Sequence, residues 1–433
     1  MSWQAVLLGA VHARPGIART SVARELGMPS GFAAETTARL VASSLLAERP
    51  APPTGSRGRP TTSLHPHPRG PLIAVAAIAH ETLRVAAVQL GGASVALTEQ
   101  PHQRGEHEVL GAVAAELSSL HQRFGARIQA VAIAVPGTVV GSRLLHAPNL
   151  GWHEVDLSVL WPRYGPGENE HSFIAGNDAT FAAIAEAKRG AAIGAGMLLH
   201  LYVDAGVGGA LIEGGRAVLG AHGMAGEFGH MPFGDPALRC QCGAYGCWNT
   251  CLDGRALARA LHEPPPDDEV SYVHGVLAAG RDKQAEALGA VGNVARSFGR
   301  GAAGLVNALD PHLVTVGGLG RELLEVSGSE VARAYRDGLM SFRVPSPPPL
   351  IPGHLGGEAP LVGAAEEAFS RLLTDEGLRR WSDAHPGGKR TSARTKTVTA
   401  PAARGAERQE HPAGPVVLQA GGTGRAPEEG RWT

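Results

Sequence analysis

Cysteine is scarce in this 433-residue chain, and its four cysteines fall within one short segment: Cys240, Cys242, Cys247 and Cys251. A disulfide framework would spread its cysteines to close long loops, so this clustering points to metal ligation in a reducing, cytoplasmic compartment. Long apolar runs are missing as well. No stretch reaches the roughly 18 consecutive apolar residues that a membrane helix needs, so no membrane partner is expected. The opening MSWQAVLLGAVHARPG lacks the basic flank and small-residue cleavage site of a secretory signal and reads as an amphipathic helix. An excess of one charge is absent too. The formal net charge is −1, which argues against a globally basic coat for nucleic acid. Aromatic residues make up only 5%, yet 43% hydrophobic content supports a sizeable core, and the length allows two or three domains. Glycine and proline are plentiful, at 59 and 31, so turns are many.

Charge counted locally gives a different answer. Residues 1–70 hold eight arginines, no lysine and three glutamates, a balance of +5. A cationic unit inside a near-neutral protein suits a DNA-contacting module. Its pattern predicts three short helices. The first runs from Trp3 to Ala13 and stops at Arg14-Pro15-Gly16, the second from Thr20 to Leu26, and the third from about Ser30, as cap, to Leu46. Such helices with tight turns suggest a helix-turn-helix, and the Pro/Gly-rich stretch around Gly55–Pro60 suggests a β-wing.

From Leu72 strands and helices alternate: LIAVAAIA, TLRVAAVQL, ASVALTEQ, a helix in HEVLGAVAAELSSLHQRF, then IQAVAIAVPG and SFIAGND. After them come a helix in ATFAAIAEAKRG, strands in MLLHLYVDAGVGGALIEGG, a long helix through Leu288–Leu309 and the strand HLVTVGGLG. This is α/β architecture in two similar lobes, placed at 71–190 and 191–372 with the last helix packing back on the first lobe. Periodicity fades near Leu373, and residues 373–433 read as a disordered tail.

The segment GEFGHMPFGDPALRCQCGAYGCWNTC carries the most specific motif. His230, Cys240, Cys242 and Cys247 make a set of three thiols and one imidazole that suits tetrahedral zinc. No open position suggests catalysis, so the zinc is structural. Cys251 lies four residues after Cys247, and an all-cysteine set without His230 is the alternative.

These features, taken with APNLGW, GNDA, VDAGVGG and GEFGH in that order, resemble the ROK family of repressors and sugar kinases, specifically its regulator branch. The resemblance covers most of residues 1–370. It implies a winged helix-turn-helix followed by a two-lobed α/β domain of the actin-like, RNase H-like ATPase type, with a sugar cleft between the lobes, in a homodimer or higher homo-oligomer. By that resemblance Asn149, Asn177, Asp178, Glu227 and His230 line the sugar pocket. Asp178 is the base that could take a proton from a reacting hydroxyl. Asn177-Asp178 could equally cap the helix that follows. The resemblance also assigns weak nucleotide contacts to Gly206, Gly208 and Gly209, and to Gly317 and Gly318 on the adenosine side.

Two departures from the family pattern matter. Kinases of this family open with an Asp-x-Gly-Gly-Thr turn that approaches ATP phosphates, and Ala77-Ile78-Ala79-His80-Glu81 stands there instead. With no glycines and with a carboxylate at Glu81, phosphate binding should suffer badly. Asn249 stands where the family has Glu, which leaves a sugar contact without charge assistance. In the N-terminal unit, Ser30, Glu35, Thr36 and Arg39 are the candidates for base edges, with Arg57 and Arg59 of the Arg-Gly-Arg-Pro stretch for the minor groove. The expected function is a DNA-binding repressor whose effector is a sugar or sugar phosphate. The alternative is an ATP-dependent sugar kinase using Asp178.

Overall fold

The computed structural model describes residues 1–50, 62–160, 173–204 and 206–385. Helix α1 (Trp3–Ala13) starts where the Ser2 hydroxyl accepts from the Ala5 N–H and ends at Arg14, just before Pro15. Helices α2 (Arg19–Glu25) and α3 (Ser30–Ala42) follow, separated by Gly27 in the left-handed region. Strand β1 (Leu46–Pro50) then pairs antiparallel with β2 (Thr62–Pro66). The expected wing residues Gly55–Pro60 lie outside the described residues.

Two sequence expectations for α3 are corrected. Its cap position is Pro29, which makes no side-chain bond, and Ser30 is the first helical residue. The helix stops at Ala42, not Leu46. Ser44 turns left-handed, with φ 57°, so the buried Leu45 and Leu46 leave the helix and Leu46 opens β1. Apolar periodicity alone could not separate those leucines from the stripe before them.

The first lobe is a five-stranded sheet in the order β10-β6-β3-β4-β5. It comprises β3 (Leu72–Ile78), β4 (Thr82–Gln89), β5 (Ser94–Pro101), β6 (Ile128–Val135) and β10 (Phe173–Asn177). Strand β3 is buried at every position and runs parallel to β6, as expected of a strand covered on both faces. Helix α4 (Glu106–Phe124) covers one face through Val109, Val113, Leu117 and Leu120. A small antiparallel sheet of β7 (Thr138–Val140), β8 (Arg143–Ala147) and β9 (Trp152–Asp156) sits at the sheet's end. Helix α5 (Asp178–Arg189) leaves the C-terminal end of β10.

The second lobe repeats the plan in the order β13-β12-β11-β14-β15. It contains β11 (Met197–Val203), β12 (Val207–Glu213), β13 (Arg216–Ala217), β14 (Leu313–Gly318) and β15 (Leu350–Pro352). Helices α6 (Gly254–Leu261), α7 (Glu269–Arg281), α8 (Ala285–Leu309) and α9 (Gly320–Gly338) build its core with the sheet. Helix α10 (Ala359–Leu372) returns to the first lobe and lies against α5, β3 and β6. A Cβ on Gly363 would stand 1.7 Å from the Phe181 carbonyl oxygen, so the α5 and α10 backbones touch there.

The tail expectation is also corrected. Residues from 373 do not all lack structure: α11 (Asp375–Ala384) forms, capped by the Thr374 hydroxyl on the Gly377 N–H. Its Trp381 is fully buried in the cluster that also contains Leu8, Leu40 and Leu45 of the N-terminal unit and Phe369 of α10. One continuous core therefore joins the N-terminal unit to the first lobe. Among the described residues, no helix is long and apolar enough to cross a membrane.

Candidate functional site

Between the lobes lies a cavity of about 220 Å³ whose wall includes Asn149, Asn177, Asp178, Glu227, His230 and Asn249. These six sequence candidates come from distant segments: Asn177 and Asp178 from the end of β10, Asn149 from the turn between β8 and β9, and Glu227, His230 and Asn249 from short turns of the second lobe. Asn177 ends β10 and caps α5: its Oδ1 accepts from the Thr180 N–H at 3.0 Å, and its Nδ2 donates to the Gly137 carbonyl at 3.0 Å. Asp178 accepts from the Ala179 N–H at 2.8 Å and from Asn177 Nδ2 at 3.1 Å. The cap belongs to Asn177, which leaves Asp178 facing the cavity. Burial pushes the Asp178 carboxyl up to about 6, into the range where it can exchange a proton near neutrality.

Sequence reasoning missed a further carboxylate on this wall, beside Asp178 and Glu227. Asp204 follows β11 in VDAG, and burial, reinforced by Asp178 and Asp268, pushes it up to about 7. Asp178 thus bears on Asp204 across the wall they share. A charged residue breaking an otherwise apolar strand end was the available signal. Tyr202, which ends on the same wall, is likewise shifted upward by burial and then by Asp178 and Asp204.

Glu227 accepts from the Thr138 hydroxyl at 3.0 Å, and its other oxygen lies 3.9 Å from His230 Nε2. Asn249 spends its amide oxygen on the Val207 N–H at 2.7 Å, holding the glycine turn that begins at Gly206. A Cβ on Gly229 would stand 2.3 Å from that oxygen and 2.3 Å from the Val207 carbonyl oxygen, so the Gly229 backbone packs directly on the Asn249 side chain and the Val207 backbone. Gly206 and Gly208 line this cavity, whereas Gly209 lines a larger neighbouring one. Gly317 and Gly318 pair with Tyr202 and Val203 at the end of β14 and line neither. Ala205 lies outside the described residues.

His230 also faces the cysteine cluster. The ligating atoms of His230, Cys240, Cys242 and Cys247 all lie within 4.8 Å of one another. Cys242 Sγ is 3.6 Å from Cys247 Sγ, and Cys240 Sγ is 3.8 Å from His230 Nδ1. Thiolates on a tetrahedral metal with bonds of about 2.3 Å sit about 3.8 Å apart, so this donor set could hold a metal ion. Gly243 and Gly246, both at positive φ, let the chain fold back sharply enough to present the thiols. Burial pushes the Cys247 thiol up to about 12, so a cation is needed to keep it ionised there. Cys251 is half-buried and stands outside the set.

At the turn Ala77–Glu81 a different arrangement is found. His80 Nε2 lies 3.0 Å from Asp268 Oδ1, and Arg104 reaches both, at 3.3 Å from His80 and 3.8 Å from Asp268. Asp268 caps α7 through the Ser271 N–H. Burial works to raise its carboxyl, but the Ser271 N–H and His80 hold it down at about 2. The turn of the first lobe is thus clasped to the second by a carboxylate, an imidazole and a guanidinium. Composition alone gave no sign of this clasp, because its parts are 24 and 188 residues apart.

In the N-terminal unit, Ser30 and Arg39 are exposed on α3, and Arg39 pairs with Glu35 at 2.6 Å. Thr36 is 4% exposed and packs inward, which removes it from the base-edge candidates. Period 3.6 places it one turn before the buried Leu40, on the core face. Arg57 and Arg59 lie outside the described residues.

Known proteins sharpen this picture. Glucokinase from Halalkalibacterium halodurans is 30% identical over 213 residues, which are 46% of this chain and 63% of that protein, so the chain spans less than two thirds of that relative. Glucokinase from Streptomyces coelicolor is 30% identical over 57% of this chain and 82% of its own length. The xylose repressor of Bacillus subtilis is 25% identical over 56% of this chain and 62% of its own. Among solved structures, a ROK family transcriptional regulator, a homolog of the E. coli MLC protein, superposes with a TM-score of 0.69 at 20% identity, covering 88% of this chain and 98% of that one. A ROK family glucokinase from Streptomyces griseus, in complex with glucose and AMPPNP, gives 0.59 at 26% identity, covering 69% and 99%. The model of the ROK family matches residues 74–369, more than half of the sequence, and the chain belongs to that family.

Proposed function

We propose that this protein is a sugar-responsive, DNA-binding transcriptional regulator, acting as a cytoplasmic repressor in a homodimer. The observation that carries the reading is the N-terminal unit: three helices and an antiparallel strand pair, cationic by composition, docked on the first lobe through a shared core. We assign it as a winged helix-turn-helix with α3 as the groove-facing helix. The fold match to a family regulator covers 88% of the chain and that to a family kinase 69%, a difference that fits such a unit. The cavity lined by Asn149, Asn177, Asp178, Glu227, His230 and Asn249 is the effector site, where amides and carboxylates provide directional partners for sugar hydroxyls. Zinc in the His230/Cys240/Cys242/Cys247 set holds His230 against this wall and serves structure, not catalysis.

The test is fluorescence anisotropy of the protein with DNA from its own promoter region, across salt concentrations and a panel of sugars and sugar phosphates. Salt-sensitive binding weakened by one sugar is the expected result. The absence of specific binding refutes the assignment.

One observation favours a second reading, an ATP-dependent sugar kinase: Asp178 sits in the cavity with its carboxyl near neutrality, as a general base requires. Against it stand Glu81 and the His80–Asp268–Arg104 clasp at the turn expected to receive phosphate, and Asp204 beside the glycine turn. Sugar-dependent ATP turnover in a coupled assay, abolished in Asp178→Asn, would establish the kinase.

A further inference from the structure

Helix α3 buries Ala33, Thr36, Thr37 and Leu40, half-buries Ala34 and Val41, and turns the other positions outward. The outward set is unusual for a helix that reads DNA. Its only charged groups, Glu35 and Arg39, neutralise each other across one turn at 2.6 Å. It has no Asn or Gln for adenine, and its one arginine is already paired, which leaves no free bidentate donor for guanine. Beside the exposed Ser30 hydroxyl, what it offers is apolar: the ring of Phe32, 38% exposed in the first turn, and the methyl group of Ala38, about 120° round the helix from it. Phe32 is held in place by an edge contact with Trp3 of α1, ring centroids 6.1 Å apart at 86°, so the ring is positioned before any partner arrives. Preorganisation of this kind lowers the ordering cost of a contact.

A cationic unit whose outward helix presents Phe32 and Ala38 beside a self-neutralised Glu35–Arg39 pair suits a polyanion that carries apolar groups in its groove. The charge balance of residues 1–70 supplies the first requirement on the protein side. The C5-methyl group of thymine supplies the second on the DNA side, since it is the one apolar feature of the major-groove edge. We propose that α3 reads its operator chiefly through thymine methyl groups, with Phe32 as the specificity-determining residue and Ala38 as a second contact. The proposal rests on the DNA-binding reading above and names the chemistry that this surface recognises. Glu35 and Arg39 then keep the helix soluble and set its register instead of pairing with bases.

The test uses the full chain and duplexes selected by it from a random-sequence pool. Anisotropy is measured on a selected duplex and on copies in which single thymines are replaced by uracil, which removes the methyl and leaves every hydrogen-bonding group. At one or two thymines the wild-type protein should lose about fourfold in affinity, the value of burying one methyl group. In Phe32→Ala the thymine-to-uracil ratio at that position should fall to about one. Phe32→Met, which keeps an apolar side chain of similar reach, should retain most of the ratio and shows that loss in Phe32→Ala is not misfolding. A wild-type ratio near one at every thymine, or an unchanged ratio in Phe32→Ala, overturns the proposal while leaving the DNA-binding reading intact. Failure of the pool to yield any bound sequence overturns both.

Discussion

The indole of Trp381 donates to the Ser43 carbonyl at 2.7 Å from a position with no exposed surface. One residue comes from the end of the described chain and the other from the turn after α3, 338 positions away. A stretch that read as tail is therefore the clamp on the N-terminal unit. Around it lie Leu8, Leu40, Leu45 and Phe369, in the core cluster that the unit shares with the first lobe.

Truncation after Leu373 or substitution Trp381→Ala should thus loosen the N-terminal unit. Loss of a buried tryptophan costs about 3–5 kcal/mol, with the Ser43 carbonyl left without its donor. Thermal melting should show an earlier first transition, and limited proteolysis should release the N-terminal unit. Melting of a Trp381→Ala protein at the wild-type temperature would show that α11 is dispensable.

The second tie between the unit and the lobe is a histidine hydrogen-bonded to a buried ion pair of the lobe. Arg189 at the end of α5 donates to Glu366 of α10 at 2.7 Å, and His12 of α1 lies 3.1 Å from the other carboxylate oxygen. The Gly91 N–H donates to His12 Nδ1 at 2.9 Å. Burial works to raise the Glu366 carboxyl, but His12 and Arg189 hold it down at about 2. A folded value depressed below the unfolded one contributes stability above about pH 4.5, lost as pH falls toward 2. Glu366→Ala should destabilise the protein by about 3–5 kcal/mol at pH 7, because it strands the Arg189 charge in a buried site. The deficit should shrink between pH 4.5 and 3 in a melting series, and a deficit independent of pH would show that the pair contributes packing only.

Asp178 works in the opposite sense. Its folded value of about 6 lies above the ordinary 3.8, so the folded state is penalised as pH rises through 4 to 6 and carries the full cost above. Asp178→Asn keeps an oxygen for the Ala179 N–H and removes the charge. We expect a protein more stable at pH 8, by on the order of 2 kcal/mol, with the gain vanishing near pH 4. The same substitution should abolish the sugar response measured by anisotropy. A residue whose removal stabilises the fold but ends the response is retained for function. Equal stability of the two proteins at pH 8 would remove that argument.

Much of this was legible in the sequence because the signals were local. The apolar strands from Leu72 to Val135, the Asn177-Asp178 step and the C-x-C-G-x-x-G-C loop each fix their structure within a few residues. The parts that were not legible depend on distant partners. Thr36 looks like a polar surface residue until Leu40 sets its face toward the core. Leu45 and Leu46 continue an apolar stripe that the left-handed Ser44 interrupts. Asp204 owes its raised carboxyl to burial and then to Asp178, which reaches the same wall from another strand. Trp381 sits in a short polar stretch where Leu378 and Trp381, three positions apart, are the only large apolar marks of the buried face.

The cysteine cluster yields the sharpest separation of alternatives, because two of its thiols differ by four positions and only one lies in the set. Cys247 belongs to the group whose ligating atoms fall within 4.8 Å, and Cys251 does not. Purified protein should contain one zinc ion per chain by elemental analysis. Cys247→Ser should lose it and melt earlier, since an apo site leaves buried donors without their cation. Cys251→Ser should keep the metal and the melting temperature. His230→Ala should weaken the metal and also the sugar response, because the same ring faces the cavity wall beside Glu227. Full metal content in Cys247→Ser together with loss in Cys251→Ser would reassign the site to the cysteines alone and free His230 for the ligand.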